Sequence, residues 1–117
     1  MDYIARDLDL RIGSTTTWVG VNSECVALVR AWTGAPPSGG WIKGAVVKGN
    51  THISRGTAIA TFVDGHYKGH AAIYLGETSD GIRVYDQWNS QKPHERIIHY
   101  TGRHSFVDDG TNYYVVQ

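Results

Sequence analysis

Apolar side chains recur with two different periods along this chain. Cys25, Leu28, Val29 and Trp32 stand at i, i+3, i+4 and i+7, the spacing of one face of an α-helix. Asn22 or Ser23 is placed to cap that helix, Glu24 favours its first turn and Gly34 is a natural stop, so the pattern predicts a helix within residues 23–34. Beyond residue 53 the period shortens to that of strands. Extended segments are predicted over 57–63, 70–75, 82–88, 96–100 and 113–116, with Asp64-Gly65 as one turn and residues 76–81 as another. Upstream, Ile4, Leu8, Leu10 and Ile12 have the spacing of a loosely packed arm or short strand, and the β-branched stretch 15–21 reads as extended. Residues 36–40 are a Pro- and Gly-rich loop, and 41–50 holds too many glycines to assign. A helix followed by an antiparallel set of strands makes an α+β domain.

Composition narrows the function classes. The 117 residues amount to one domain, 1–117, large enough for its own core. A 41% hydrophobic and 19% charged content excludes disorder. Lys+Arg and Asp+Glu are equal at 11 each, so the basic excess of a nucleic-acid binder is missing. No apolar run reaches the length of a membrane span, and charges within residues 1–9 argue against a Sec-type leader. The single cysteine rules out an internal disulfide, so the fold does not depend on an oxidising compartment.

That cysteine, Cys25, falls in the first turn of the predicted helix, where the positive end of the helix dipole lowers a thiol's pKa. A small apolar residue on a helix face is more commonly plain core, so Cys25 gains weight only with a base nearby. His70 opens the second strand. If Leu75 pairs with Gly81 around the five-residue loop 76–80, counting back along both strands sets His70 opposite Asp86, on the same face. A carboxylate there fixes the imidazole's tautomer and orientation. Cys25, His70 and Asp86 then form the Cys/His/acid set of nucleophilic acyl transfer. Asn89 and Gln87 are auxiliary candidates for the third role, and His94 and His99 are alternatives. Trp41, Tyr67 and Trp88 are candidates to line a groove for sugar or peptide. His66 and His70 are four apart but lack the helical face that a metal pair needs, while His52, His94, His99 and His104 are scattered and read as surface. The glycines of 34–49 lack the Lys-Ser/Thr of a phosphate loop. No metal and no cofactor is expected.

The motifs carry a resemblance. Glu24-Cys25-Val26-Ala27-Leu28-Val29 resembles the Asp-Cys-Ser-Gly-Leu-Val signature of NlpC-type cell-wall peptidases, and Gly69-His70-Ala71-Ala72-Ile73-Tyr74-Leu75-Gly76 is similar to their His-Val-Gly-Ile-Tyr-Leu-Gly strand. Tyr85-Asp86-Gln87-Trp88-Asn89 is similar to the Glu-Gln-Asn-Trp strand of CHAP amidases, whose lead-in strand Ile53–Ile59 also resembles. The match runs from about Asn22 to Asn89, in the order Cys, His, acid. Val26 and Ala27 depart from the Ser-Gly pair, Thr57 from the usual Asp, and Ile82 stands near the place of the second His of NlpC enzymes. The resemblance implies a papain-like fold with a helix carrying Cys packed on an antiparallel sheet of about five strands. It also implies a cysteine amidase or peptidase that cuts an amide of peptidoglycan stem peptides, γ-D-glutamyl–diaminopimelate by the NlpC pattern, through a thioester. Asn22 or Ser23 is a candidate second oxyanion donor beside the Cys25 amide. A small type VI secretion amidase effector, made in the cytoplasm, acting in a target cell's periplasm and restrained by a cognate immunity protein, fits these features. A phage lysin, an acyltransferase and a catalytically silent wall- or protein-binding module are the alternatives.

Overall fold

The structure, a computed structural model, describes residues 1–102 and 105–117. His104 lies outside the described residues. In chain order the elements are helices α1 (Leu8–Ser14) and α2 (Cys25–Thr33), then strands β1 (Lys43–Val46), β2 (Ala58–Val63), β3 (His66–Glu77), β4 (Gly81–Trp88), β5 (Gln91–His99) and β6 (Tyr113–Val116). The strands form one six-stranded sheet in the order β1-β6-β2-β3-β4-β5, antiparallel throughout. This is the α+β arrangement expected, with one strand more.

Helix α2 is the element read from the i, i+3, i+4, i+7 face. Leu28, Val29 and Trp32 are buried and Cys25 is half-buried. Gly34 ends it in the left-handed region at φ 75°, where glycine carries no Cβ penalty, and its N–H reaches Arg30 O at 3.0 Å. Its start differs from expectation. Glu24 is the N-cap residue and no side chain caps the helix; Asn22 Oδ1 instead accepts from the Glu24 amide at 2.9 Å. The arm reading holds at Ile4, which bridges to Thr57. It fails at α1, because Leu8 and Ile12 lie one helical turn apart and both pack on the core that α2 covers. Strand β1, hidden among glycines, pairs with β6; a Cβ on Gly44 would stand 2.7 Å from Val115 O, so only glycine permits that approach.

The β3–β4 hairpin departs from the expected register. Ile73 faces Tyr85 and Tyr74 faces Val84, two residues away from a pairing in which Leu75 meets Gly81. A tighter turn, closed by Thr78 N–H to Gly81 O at 2.8 Å, and a bulge between Tyr74 and Gly76 cause the shift. Because strand side chains alternate with a period of two, a two-residue shift leaves every side chain on its face.

Each face of the sheet holds its own core. On one side Leu28, Val29 and Trp32 of α2 press onto Ala58, Ala60, Ala71, Ile73 and Tyr85, the alanines letting the helix approach and Trp32 stacking on Tyr85 at 5.4 Å. On the other side Ile59, Ala72, Tyr74, Ile82, Val84 and Ile98 meet Val47, Tyr100 and Tyr113. By the same alternation His70 and Asp86 belong to this second face and Gln87 to the helix face.

Candidate active site

Gly69 precedes His70 at φ 114°, and the Thr61 hydroxyl accepts from the His70 amide at 3.0 Å. The strand thereby turns the imidazole, 8% exposed, toward the start of α2. His70 Nε2 meets Asp86 Oδ2 at 2.7 Å, so Nδ1 is the ring nitrogen left for the thiol. The contact survives the register shift: Asp86 and His70 are diagonal neighbours on one face, within reach of long side chains.

Asp86 is 1% exposed. A carboxylate so buried requires partners, and Arg96 supplies a fork: Nε lies 3.0 Å from Oδ2 and 3.2 Å from Oδ1, and Nη2 lies 2.9 Å from Oδ2. The guanidinium rests over the Trp88 ring at 4.9 Å, and Trp88 stands edge-on to His70 at 5.9 Å. Sequence reasoning missed Arg96. The two-residue Asn89-Ser90 turn by itself would set Glu95 opposite Val84; an extra residue in β5 between Gln91 and His94 moves the register by one and brings Arg96 opposite Val84, on Asp86's face. Pro93, tolerated because β5 lies at the sheet edge, interrupts the run and hides the strand's first half.

Cys25, Tyr67, His70, Trp88 and Asn89 line one groove of about 450 Å³, together with Glu24 and Ser38. Burial alone pushes the Cys25 thiol up, but the hydrogen bond and charge of His70, the Tyr67 hydroxyl and the Ala71 backbone amide outweigh it and bring the thiol below its ordinary value. Burial pulls His70 down, and the Asp86 hydrogen bond with the Cys25 thiolate overrides it, so the imidazole is pushed up to about 9. Both shifts favour the charged forms, thiolate and imidazolium, the direction that activates a thiol. Tyr67 OH lies 3.5 Å from Cys25 Sγ, and burial and the thiolate both push its phenol above the usual range, so it remains a donor.

The other candidates go elsewhere. Gln87 does not touch His70: wholly buried, it bonds the backbone ahead of α2. Asn89 lines the groove, with Oδ1 taken by the Ser23 hydroxyl at 2.8 Å. Trp41 does not line it. At 4% exposure Trp41 is core, its indole N–H donating to Pro36 O at 2.7 Å and its ring bracing Tyr67 at 5.0 Å. His94 stands 4.0 Å from Asp86 on the side away from His70, and His99 pairs with Gly81 at the far end of β5. Asn22 and Ser23 spend their side-chain oxygens on Glu24 and Asn89. Among the described residues no group of three His, Cys, Asp or Glu side chains is arranged to hold a metal ion, and no helix is long and apolar enough to cross a membrane.

Comparison with known proteins places the chain in a family. The model of domesticated amidase effector 2 matches residues 7–116. The chain belongs to the domesticated amidase effector 2 family. It is 44% identical over 110 residues to the domesticated amidase effector 2 of Ixodes scapularis, covering 86% of this chain and 76% of that one. It is 39% identical over 105 residues to the type VI secretion amidase effector 2 protein of Salmonella typhi, covering 82% and 79%. A solved structure of type 6 secretion amidase effector 2 superposes with a TM-score of 0.78 at 28% identity, over 97% of this chain and 93% of that chain. Members of the domesticated amidase effector 2 family are thus amidases on an α+β fold, a helix laid on an antiparallel sheet, as in this chain.

Proposed function

We propose that this protein is a cysteine-dependent peptidoglycan amidase, and that Cys25, His70 and Asp86 carry the reaction. The observation that supports it most is the buried relay ending in the groove: Asp86 on Nε2 of His70, with His70 and Cys25 lining the same groove. The Cys25 thiolate attacks an amide carbonyl, forming a carbon–sulfur bond while the carbonyl electrons move to oxygen. Two donors face that oxygen: the Cys25 N–H, without an intrahelical acceptor at the first position of α2, and the Tyr67 hydroxyl, 3.5 Å from the sulfur. The imidazolium gives its proton to the leaving nitrogen, the carbon–nitrogen bond breaks and a thioester remains. Neutral His70 then takes a proton from water as the water oxygen attacks the thioester, and breaking the carbon–sulfur bond restores the thiolate and imidazolium. Asp86 holds the ring throughout, and Arg96 holds Asp86.

The substrate reading is an amide of peptidoglycan stem peptides, supported by the names of the Ixodes and Salmonella relatives and by the cell-wall motifs around Cys25 and His70. The finer assignment to γ-D-glutamyl–diaminopimelate rests on the NlpC-like signature alone. By likeness to the type VI effector, the protein acts on the wall of a target cell, and the producer of such a toxin needs an immunity protein. Digestion of purified Gram-negative sacculi by wild type and Cys25→Ala, with muropeptides resolved by mass, tests the reading. New fragments with wild type only are expected, and their masses name the bond. Sacculi left intact by folded wild type would put the silent binding module in its place.

A further inference from the structure

Residues 15–24, between α1 and α2, form no helix and no strand, so no ladder of backbone bonds sets where α2 begins. The helix start also has no side-chain cap. Into this stretch reaches a side chain from the sheet. Gln87 of β4 is 0% exposed, and its carboxamide is fully engaged with the backbone of that segment. Oε1 accepts from Val19 N–H at 2.9 Å, and Nε2 donates to Val19 O at 2.9 Å and Glu24 O at 2.9 Å, with Asn22 O at 3.3 Å sharing a hydrogen. Glu24 is the residue before Cys25, so the amide grips the chain one peptide unit from the sulfur-bearing residue. Gly20 completes the seat: a Cβ there would stand 2.6 Å from Ala27 O, so the segment lies flat against α2.

We propose that Gln87 is the positioning residue for the nucleophile, holding the segment ahead of α2 so that Cys25 meets His70. The inference rests on reading Cys25 as the nucleophile. Its physical basis is the alternation of β4. Asp86 points to one face and orients the base, while Gln87, the next residue, points to the other and locates the helix that carries the thiol. Two consecutive side chains of one rigid strand therefore set both ends of the sulfur–imidazole contact, and any movement of β4 carries the two together. A glutamine suits the task because one planar amide offers both an acceptor for Val19 N–H and two hydrogens for the carbonyls around it. Methionine has its shape without the donors. Glutamate keeps an acceptor but, ionised, faces three carbonyls.

The test compares wild type, Gln87→Met and Gln87→Glu, each shown folded by circular dichroism and thermal melting. Two quantities are read: the rate of Cys25 alkylation by iodoacetamide, and kcat and KM on solubilised muropeptides. For Gln87→Met, alkylation at pH 7 falls about tenfold or more and kcat falls with it, while KM stays within about twofold, the pattern of lost alignment. For Gln87→Glu, the alkylation rate relative to wild type at each pH recovers as pH falls from about 8 to 5, because a buried carboxyl regains a donor when protonated. Folded variants that alkylate and turn over like wild type across that range overturn the proposal, as does a Gln87→Glu ratio that is flat with pH. If Gln87→Met does not fold, the Gln87→Glu ratio decides alone. Alkylation needs no cell-wall substrate, so failure of wild type to digest sacculi would sink the functional reading and leave this measurement standing.

Discussion

Asp86 has two attachments that pull in the same direction. Its carboxylate accepts from His70 on one side and from the Arg96 fork on the other, and the carboxylate itself has no exposed surface. The hydrogen bond to Asp86 is the largest of the influences that raise His70. The sign of the pH dependence follows. On the proposed mechanism activity needs thiolate and imidazolium together, so it is expected to rise with pH as Cys25 ionises below its ordinary value and to fall as His70 loses its proton near pH 9. Asp86→Asn removes the principal raising influence, and the alkaline limb of kcat/KM moves acidward. The plateau rate drops about 10²–10³-fold, within the usual contribution of a general acid–base. A pH–rate profile on muropeptides checks both; an alkaline limb that stays in place would remove Asp86 from the role. Cys25, His70 and Asp86 were legible in the sequence because their residue types and order are those of acyl transfer. Arg96 was not, since an arginine on an edge strand carries no mark of what it faces.

At the scale of elements, β3 does more than pair. Its irregular entry at Gly69 brings the imidazole to α2, and the position admits no side chain: a Cβ would lie 2.5 Å from Thr61 Oγ1 and 3.0 Å from Val107 Cγ1, at a φ of 114° that β-carbons resist. Gly69→Ala must therefore shift the strand or the Thr61 hydroxyl that holds the His70 amide. The variant is expected to lose about 1–3 kcal/mol of stability and, through misplacement of the ring, up to about 10²-fold in rate. Urea melts with a turnover assay check this, and wild-type activity in a destabilised variant would show that Gly69 serves folding alone. Helix α2 was readable because its apolar stripe is long enough to show a period. Helix α1, with Leu8 and Ile12 one turn apart, was too short to show one, and β1 lacks the alternation that marks a strand.

Across the whole molecule the site depends on the seam between α2 and the sheet. Leu28 lies at the centre of that seam with no exposed surface. Leu28→Ala is expected to cost about 3 kcal/mol and to lower the melting temperature. At low temperature, where the variant remains folded, the pH profile is expected to stay that of wild type, because the removed atoms are apolar and carry none of the hydrogen bonds of the relay. A profile displaced along the pH axis would show instead that core packing tunes the thiol–imidazole pair.

Some of this was written in the order of residues: the helix with its cysteine, the strand with its histidine, the acid on the next strand and the α+β class. Those are local properties, set by side-chain period, turn chemistry and residue type. The meeting of Cys25 with His70, the fork of Arg96 on Asp86, the burial of Trp41 and the grip of Gln87 on residues 19–24 belong to the tertiary structure alone. Each joins segments far apart in the chain, and such contacts follow from how a helix seats on a sheet and where a bulge resets the register. Alternation protected the one register inference that missed, because a slip of two residues keeps a side chain on its face, whereas a slip of one would have sent Asp86 to the helix side and Gln87 to the histidine.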